Sequence, residues 1–388
     1  MLALTGGTVV DAEGEREADV SIENGEIVRV GNLGDEEPAE TVDVTGRYVC
    51  PGLIDAHVHL AMDAGPDPAA RVDDAVAAHA YRVTDHLRDA LAAGVTTVRD
   101  LGSPATLAIE AARAVDAGVI EGPRVVPAGR NVTMTGGHGH WFGREADGTA
   151  EVRKAAREQV KAGADVLKCM ATGGVLTEGA VVGSPELTPA ELAALVDVAD
   201  AAGIPTAAHA HGTRGIVNAA RAGITSVEHG TFMDREAARL LAEEGTYWVP
   251  TASALRGIVD NGTDAGIPAF AVEKAGEAAD AFDDAFEHAL DADVTVAMGT
   301  DAGTPFNEHG EIPRELEYMV DYGMEPTAVL EAATVNAAQL LGLDDVGLVR
   351  RGYLADLVVL PADPRTDVTA WQDPETVIAG GERVRGGD

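Results

Sequence analysis

From about residue 50 to residue 344 the chain repeats one unit: an apolar strand, a loop, then an alanine-rich amphipathic helix. No other feature restricts the fold as strongly, because strands alternating with helices make a parallel sheet whose crossovers pack on it. The candidate strands lie in "VCPGLIDAHVHL", "GVTTVRDLG", "PRVVPAGR", "ADVLKCMATGG", "GIPTAAHAHG", "GITSVEHGT", "GTYWVPTA" and "DVTVAMGTDAG". Eight such units predict a closed (β/α)8 TIM barrel. Glycine ends several of the helices, in "LAAG", "VKAG", "DAAG" and "ARAG", where a left-handed residue is wanted. One helix start is explicit in "TPAELAALVDVADAAG": Thr188, a proline, then Glu191 form a capping box. The competing α/β arrangement, a doubly wound open sheet, lacks its dinucleotide glycine fingerprint after an early strand.

Both ends of the chain read differently. The stretch "ADVSIENGEIVRV" alternates with period two around Asn24-Gly25, a hairpin turn signal, and no long helix fits before residue 50. Past residue 345, "YLADLVVLP" and "TVIAGGERVR" return to strands, the second turning at Gly380-Gly381. Each end alone has too few strands for a stable core. Residues 1–52 and 345–388 are therefore predicted to form one small composite β-sandwich domain beside a barrel of residues 53–344.

With 28 basic and 65 acidic residues the formal charge is −37, spread along the chain. Such a surface repels DNA, RNA and anionic membranes, so nucleic-acid and membrane partners are not expected. The periodic 46% hydrophobic content also excludes an acidic disordered chain. So few lysines among so many carboxylates resemble the composition of proteins from salt-loving microbes, where molar salt screens self-repulsion. Two cysteines, Cys50 and Cys169, are too few for a disulfide framework and fall in predicted buried strands. The start "MLALTGGTVVDAEGE" has neither the basic nor the apolar run of a signal peptide, and no segment offers a membrane span. A cytoplasmic protein is expected, and a homo-oligomer is compatible with the sequence.

Barrels of this kind carry their chemistry at the carboxyl ends of the strands. Seven of the eleven histidines fall there: His57, His59, His138, His140, His209, His211 and His229. Helical His79, His86 and His288 read as packing or surface residues, and His309 is open to either role. In "DAHVHL" the two imidazoles are two residues apart, so a regular strand points both to one face, where they can hold a divalent metal or simply hydrogen-bond in a core. His209, His229 and Asp301 sit at the ends of three further strands. Singly, Asp301 would read as a turn residue and His229 as a satisfied core histidine; together they form a ligand set.

Lys168 sharpens this reading. It is one of four lysines, yet it lies inside the apolar strand of "ADVLKCMATGG". A buried ammonium must be paired, neutralised or modified. Pairing with Asp165 or Glu178 is one solution. Addition of carbon dioxide is another, because the carbamate is an anion on a long stem that can bridge two mutually repelling cations.

The motifs "PGLIDAHVHL", "DVLKCMATGG", "AAHAHG", "VEHG", "MGTDAG", "AATVNAAQLLGL" and "GYLADLVVL", in this order over nearly the whole chain, resemble the amidohydrolase superfamily, in its imidazolonepropionase-related and Xaa-Pro dipeptidase-like branch. The resemblance implies a first metal on His57, His59 and Asp301, and a second on His209 and His229. Carboxylated Lys168 and a hydroxide would bridge two divalent ions, zinc being the best match to imidazole and carboxylate. It further implies hydrolysis of the amide bonds of small substrates such as Xaa-Pro or other dipeptides or N-acyl amino acids, with Asp301 moving the proton. In the loop "NVTMTGGHGHWFGREADG", His140 would touch the substrate, and His211, where some dipeptidase-like relatives carry tyrosine, would be a second substrate contact. Arg256 and the segment "SALRGIVDNGTDAGIPAF" are expected to form a lid or specificity wall. The rivals are a mononuclear deaminase or cyclic amide hydrolase on the same fold, and a metal-binding scaffold without activity. A deaminase would carry a glutamate shortly after His209 and no strand-borne lysine; Ala210, His211, Gly212 and Thr213 stand there instead.

Overall fold

A computed structural model describes residues 1–34 and 38–386. Its centre is a set of parallel strands: β1 (Leu53–Val58), β2 (Val95–Asp100), β3 (Arg124–Pro127), β4 (Leu167–Met170), β5 (Thr206–Gly212), β6 (Ser226–Phe232) and β7 (Tyr247–Val249). Strands β1 to β3 are neighbours in chain order, as are β4 to β7, and every adjacent pair within these two runs is parallel. Their residues are buried on both faces, Leu167 to Met170 without exception, as expected where helices cover a parallel sheet. Hydrogen bonds connect the two runs. Asp165 N donates to Pro127 O at 2.9 Å on one side. On the other, residues 295–301 lie between β7 and β1, with Trp248 N to Thr295 O at 3.0 Å, Ala56 N to Met298 O at 2.9 Å and Asp301 N to His57 O at 2.7 Å.

That eighth segment departs from the expected strand. It makes only isolated bridges, Trp248 with Val296 and Val58 with Ala302. The reason is local: Met298 N turns away to Ala332 O, and Thr300 N donates to the Asp55 carboxylate at 3.1 Å instead of to a neighbouring backbone. Asp301 then adopts φ 60°, a left-handed conformation unusual outside glycine. The chain gives up a regular ladder where it delivers Asp301.

The helices follow their sequence signals. Thr188 and Glu191 close the capping box on helix Pro189–Ala202, and Gly203 ends it at φ 71°, features that contribute about 1 kcal/mol each. Helix Ala269–Asp291 packs Phe282 and Phe286 against Trp248 of β7, with Phe286 and Trp248 ring centres 4.6 Å apart.

Strands from the two chain ends share a sheet. Thr8–Asp11, Gly14–Glu17 and Tyr48–Pro51 pair with Leu357–Leu360, Thr376–Ala379 and Glu382–Arg385. A second sheet holds Leu2–Thr5, Asp19–Glu23, Glu26–Gly31 and Glu40–Asp43. Leu4, Val20 and Ile27 of one and Val9, Val49 and Leu357 of the other belong to a single apolar cluster. Asn24-Gly25 and Gly380-Gly381 turn their hairpins with positive φ at all four residues, the geometry that suits twisted strands. Among the described residues no helix is long and apolar enough to cross a membrane.

Candidate metal centre

A cavity opens at the carboxyl ends of the strands, lined by His57, His59, Lys168, His209, His229 and Asp301. These residues come from β1, β4, β5, β6 and the segment after β7. Alternation along a strand does not by itself aim them all. β1 slips register against β2 between Asp55 and Val58, and His229 has φ 69°, so a left-handed residue turns its ring out of the face that alternation assigns it.

The hydrogen bonds behind the rings fix which nitrogen faces the cavity. His57 Nδ1 lies 2.9 Å from Glu228 Oε2, and His59 Nδ1 lies 2.9 Å from the carbonyl of Gly102. Both partners only accept, so both Nδ1 atoms carry the proton and each neutral ring keeps a lone pair on Nε2. Those Nε2 atoms approach Asp301 Oδ1 at 3.3 and 3.2 Å. Two lone pairs facing one carboxylate oxygen repel it unless something positive sits among them. Tetrahedral zinc bonds of about 2.0–2.1 Å would separate neighbouring ligand atoms by about 3.4 Å, so these two separations fit ligands of one metal ion. Burial lowers His59, yet Asp301 outweighs it and raises the ring's pKa.

The other end of the cluster is built alike. His229 Nδ1 lies 2.7 Å from Thr251 Oγ1, and His211 Nδ1 lies 2.7 Å from Thr231 Oγ1. Ligand atoms of His57, His229 and Asp301 form one close group, and those of His209, His211 and His229 another, each within 4.8 Å. Lys168 Nζ, His209 Nε2 and Asp301 Oδ1 are buried with no hydrogen-bond partner among the described residues. Such orphaned polar atoms are costly, and their donor set fits one or two divalent cations.

Electrostatics keep the ring nitrogens available. Burial, then neighbouring rings, pushes His209 well below the ordinary imidazole range; burial likewise dominates at His229. Burial lowers His211 to about 4 and His138 to about 3. Burial raises Asp301, but His57 and His59 outweigh it and hold the carboxyl well below its usual range. Burial lowers the Lys168 amine to about 8. Neither Asp165 nor Glu178 pairs with it among the described residues, so the simple ion-pair reading of this lysine fails.

Two expectations about the loops need correction. His140 is exposed and does not line the cavity, whereas His138 does, its ring 4.2 Å from that of His209. The cause is a tight turn: His140 N bonds Gly137 O, and His138 is tied inward by Thr177 Oγ1 at 3.0 Å and by Glu186. In helix Ala252–Asn261, Leu255 and Ile258 form a wall of the cavity. Arg256 turns from it, its guanidinium 5.9 Å from the rings of Tyr318 and Tyr322. His309 is buried against His86, ring centres 4.4 Å apart, outside the cavity.

Glu228 and Arg99 escaped the sequence reading. Arg99 of β2 is fully buried; its Nε donates to Ala56 O at 2.5 Å and its Nη2 to Glu228 Oε1 at 3.2 Å. Burial raises Glu228, but Arg99 and then His57 overcome it and bring the carboxyl to about 2. The available signal was the charge itself: a glutamate and an arginine inside strands predicted to be buried need each other.

The amidohydrolase family model matches residues 48–384. Ochratoxinase of Aspergillus niger is 31% identical over 420 residues, covering 98% of this chain and 86% of that protein. The crystal structure of a Xaa-Pro dipeptidase with methionine bound in its active site is similar with TM-score 0.93 and 31% identity, over 99% of this chain and 100% of the other. A prolidase complexed with N-methylphosphonate-L-proline gives TM-score 0.93 and 30% identity, over 100% of both chains.

Proposed function

Because the chain belongs to the amidohydrolase family, whose members hydrolyse carbon–nitrogen bonds, we propose that it is a binuclear metal-dependent hydrolase of small amides. The observation that carries this is the approach of His57 Nε2 and His59 Nε2 to Asp301 Oδ1, at 3.3 and 3.2 Å, with both Nδ1 atoms already engaged. In this reading His57, His59 and Asp301 would hold one ion and His209 and His229 the other, and Lys168, carboxylated by carbon dioxide, would serve both. Zinc is the metal of choice for that donor set. The two ions would supply Lewis acidity to the amide carbonyl and a water of lowered pKa. Asp301 accepts the proton of the attacking water and returns it to the leaving nitrogen. His138, in place of His140, is positioned to contact the substrate, with His211 deeper in the cavity.

The substrate side of the cavity is apolar: Trp141, Phe142, Met170, Leu176, Leu255 and Ile258 line it. This favours dipeptides or N-acyl amino acids with an apolar side chain, in keeping with the methionine and proline-derived ligands of the two neighbours. The scaffold we propose is a (β/α)8 barrel of residues 53–344 flanked by a composite β-sandwich of residues 1–52 and 345–388. A charge of −37 supports a salt-adapted protein that avoids nucleic acid and anionic membrane, and its thermal stability should rise in molar potassium chloride. The deciding experiment is metal analysis and mass measurement of the purified protein, followed by a panel of small amides. Two ions per chain, a mass gain matching carbon dioxide and turnover of apolar dipeptides are expected. One ion with deamination, or full metal loading without any turnover, would overturn the reading.

A further inference from the structure

Helix Ala252–Asn261 begins at Thr251, a residue type that ordinarily caps its own helix through its hydroxyl. Here it does not. Thr251 makes no side-chain cap bond; its Oγ1 donates to Pro250 O at 2.7 Å and receives His229 Nδ1 at 2.7 Å. A hydroxyl has one proton, so a Thr251 that donates to Pro250 must accept from His229, which leaves the lone pair of His229 on Nε2. Thr251 also has φ 57°, a conformation that persists only when its surroundings impose it.

What imposes it comes from another part of the chain. Glu315, on helix Arg314–Asp321 and fully buried, accepts Ala252 N at 2.8 Å, Ser253 N at 2.7 Å and Ser253 Oγ at 2.6 Å. It satisfies the first free amides of the helix, the position where a negative charge also suits the helix dipole. We propose that Glu315 is a positioning residue for His229: by supplying from outside the cap that Thr251 would otherwise provide, it frees the Thr251 hydroxyl to set the tautomer and direction of the imidazole. The inference rests on His229 being a metal ligand, as proposed above. Burial presses Glu315 up to about 7 against the pull of Ser253 and Ala252.

The test uses the full chain with and without zinc. Glu315→Gln, which cannot accept all three donors, and Thr251→Val, which removes the hydroxyl, should each weaken one of the two zinc ions about 10-fold or more by chelator competition, lower kcat with little change in KM, and move or broaden the His229 Nδ1–H resonance in the metal-free protein. Thr251→Ser should restore all three readouts. If Glu315→Ala fails to fold, Glu315→Gln and Thr251→Val still decide. A Glu315→Gln protein with wild-type affinity for both ions and an unmoved His229 proton overturns the inference, even if its melting temperature falls. Wild-type protein that binds no zinc would instead sink the hydrolase reading, and the resonance in the metal-free chain would still report on Glu315.

Discussion

His57 and His229 offer Nε2 to the same cavity, but the groups behind them differ in charge. His57 leans on the Glu228 carboxylate, which Arg99 holds ionised, whereas His229 leans on the hydroxyl of Thr251. An anion behind an imidazole increases its strength as a ligand, and a hydroxyl mainly orients it. The two ends of the cluster should therefore grip cations unequally: firmly at His57, His59 and Asp301, less so at His209 and His229. Such asymmetry suits a centre in which one ion stays and the other shares the substrate.

The largest expected effect removes the comparison altogether. Lys168 lines the cavity from β4, its amine without a hydrogen-bond partner among the described residues. Lys168→Ala should lose most bound metal at both ends and lower turnover by on the order of 10³-fold or more, with partial rescue by short-chain carboxylic acids. Retention of two ions by this variant would show that the ends do not depend on a shared bridge.

Asp301→Asn comes next. Asparagine keeps the size of the side chain and one acceptor oxygen but cannot take a proton, so kcat should fall on the order of 10²- to 10⁴-fold with the circular dichroism spectrum unchanged. A near-normal kcat would remove Asp301 from the proton path while leaving it available as a ligand.

Much of this cluster was legible in the sequence because parallel strands covered by helices present their polar residues at one end. Lys168, His209 and the His57 and His59 pair could be found by asking which polar residues close an apolar strand. What alternation could not reveal were the places where the backbone leaves the regular strand. His229 at φ 69° and Asp301 at φ 60° are aimed by left-handed turns, and no periodicity encodes those. The irregular eighth segment has the same origin, since the Asp55 carboxylate takes the amide of Thr300 that a ladder would have used. His138 and His140 share the composition of one glycine-rich loop, and only its turn distinguishes the ring that enters the cavity. Glu315 was illegible for another reason: it acts on residues about sixty positions earlier in the chain.

Glu228→Gln tests the asymmetry itself. The amide can still accept or donate toward His57 but carries no charge, so the affinity of the more tightly held ion should drop about 10- to 100-fold while the weaker site changes little. Arg99 would then be a buried cation without its anion, which costs about 3–5 kcal/mol when a pair of this kind is broken, so a lower melting temperature accompanies the loss. Equal weakening of both ions would mean that the carboxylate acts through the general potential of the cavity and not through His57.

The pH dependence of assembly gives the smallest effect. Burial lowers Lys168 to about 8, and only the neutral amine can combine with carbon dioxide. Below that value the amine is protonated and blocked; above it the amine is free, so carboxylation of the metal-free protein must accelerate as pH rises. Between pH 6.5 and pH 9 the neutral fraction grows roughly 30-fold for such a pKa. Apoprotein given zinc and bicarbonate should recover activity faster by about that ratio at the higher pH, once the bicarbonate–carbon dioxide balance is held fixed. Because the carbamate would bridge both ions, uptake at the His57 end should quicken with pH as well, and metal should bind slowly at both ends where the amine is protonated. If both ions arrive together at pH 6.5 in the absence of bicarbonate, the bridge is not a modified lysine.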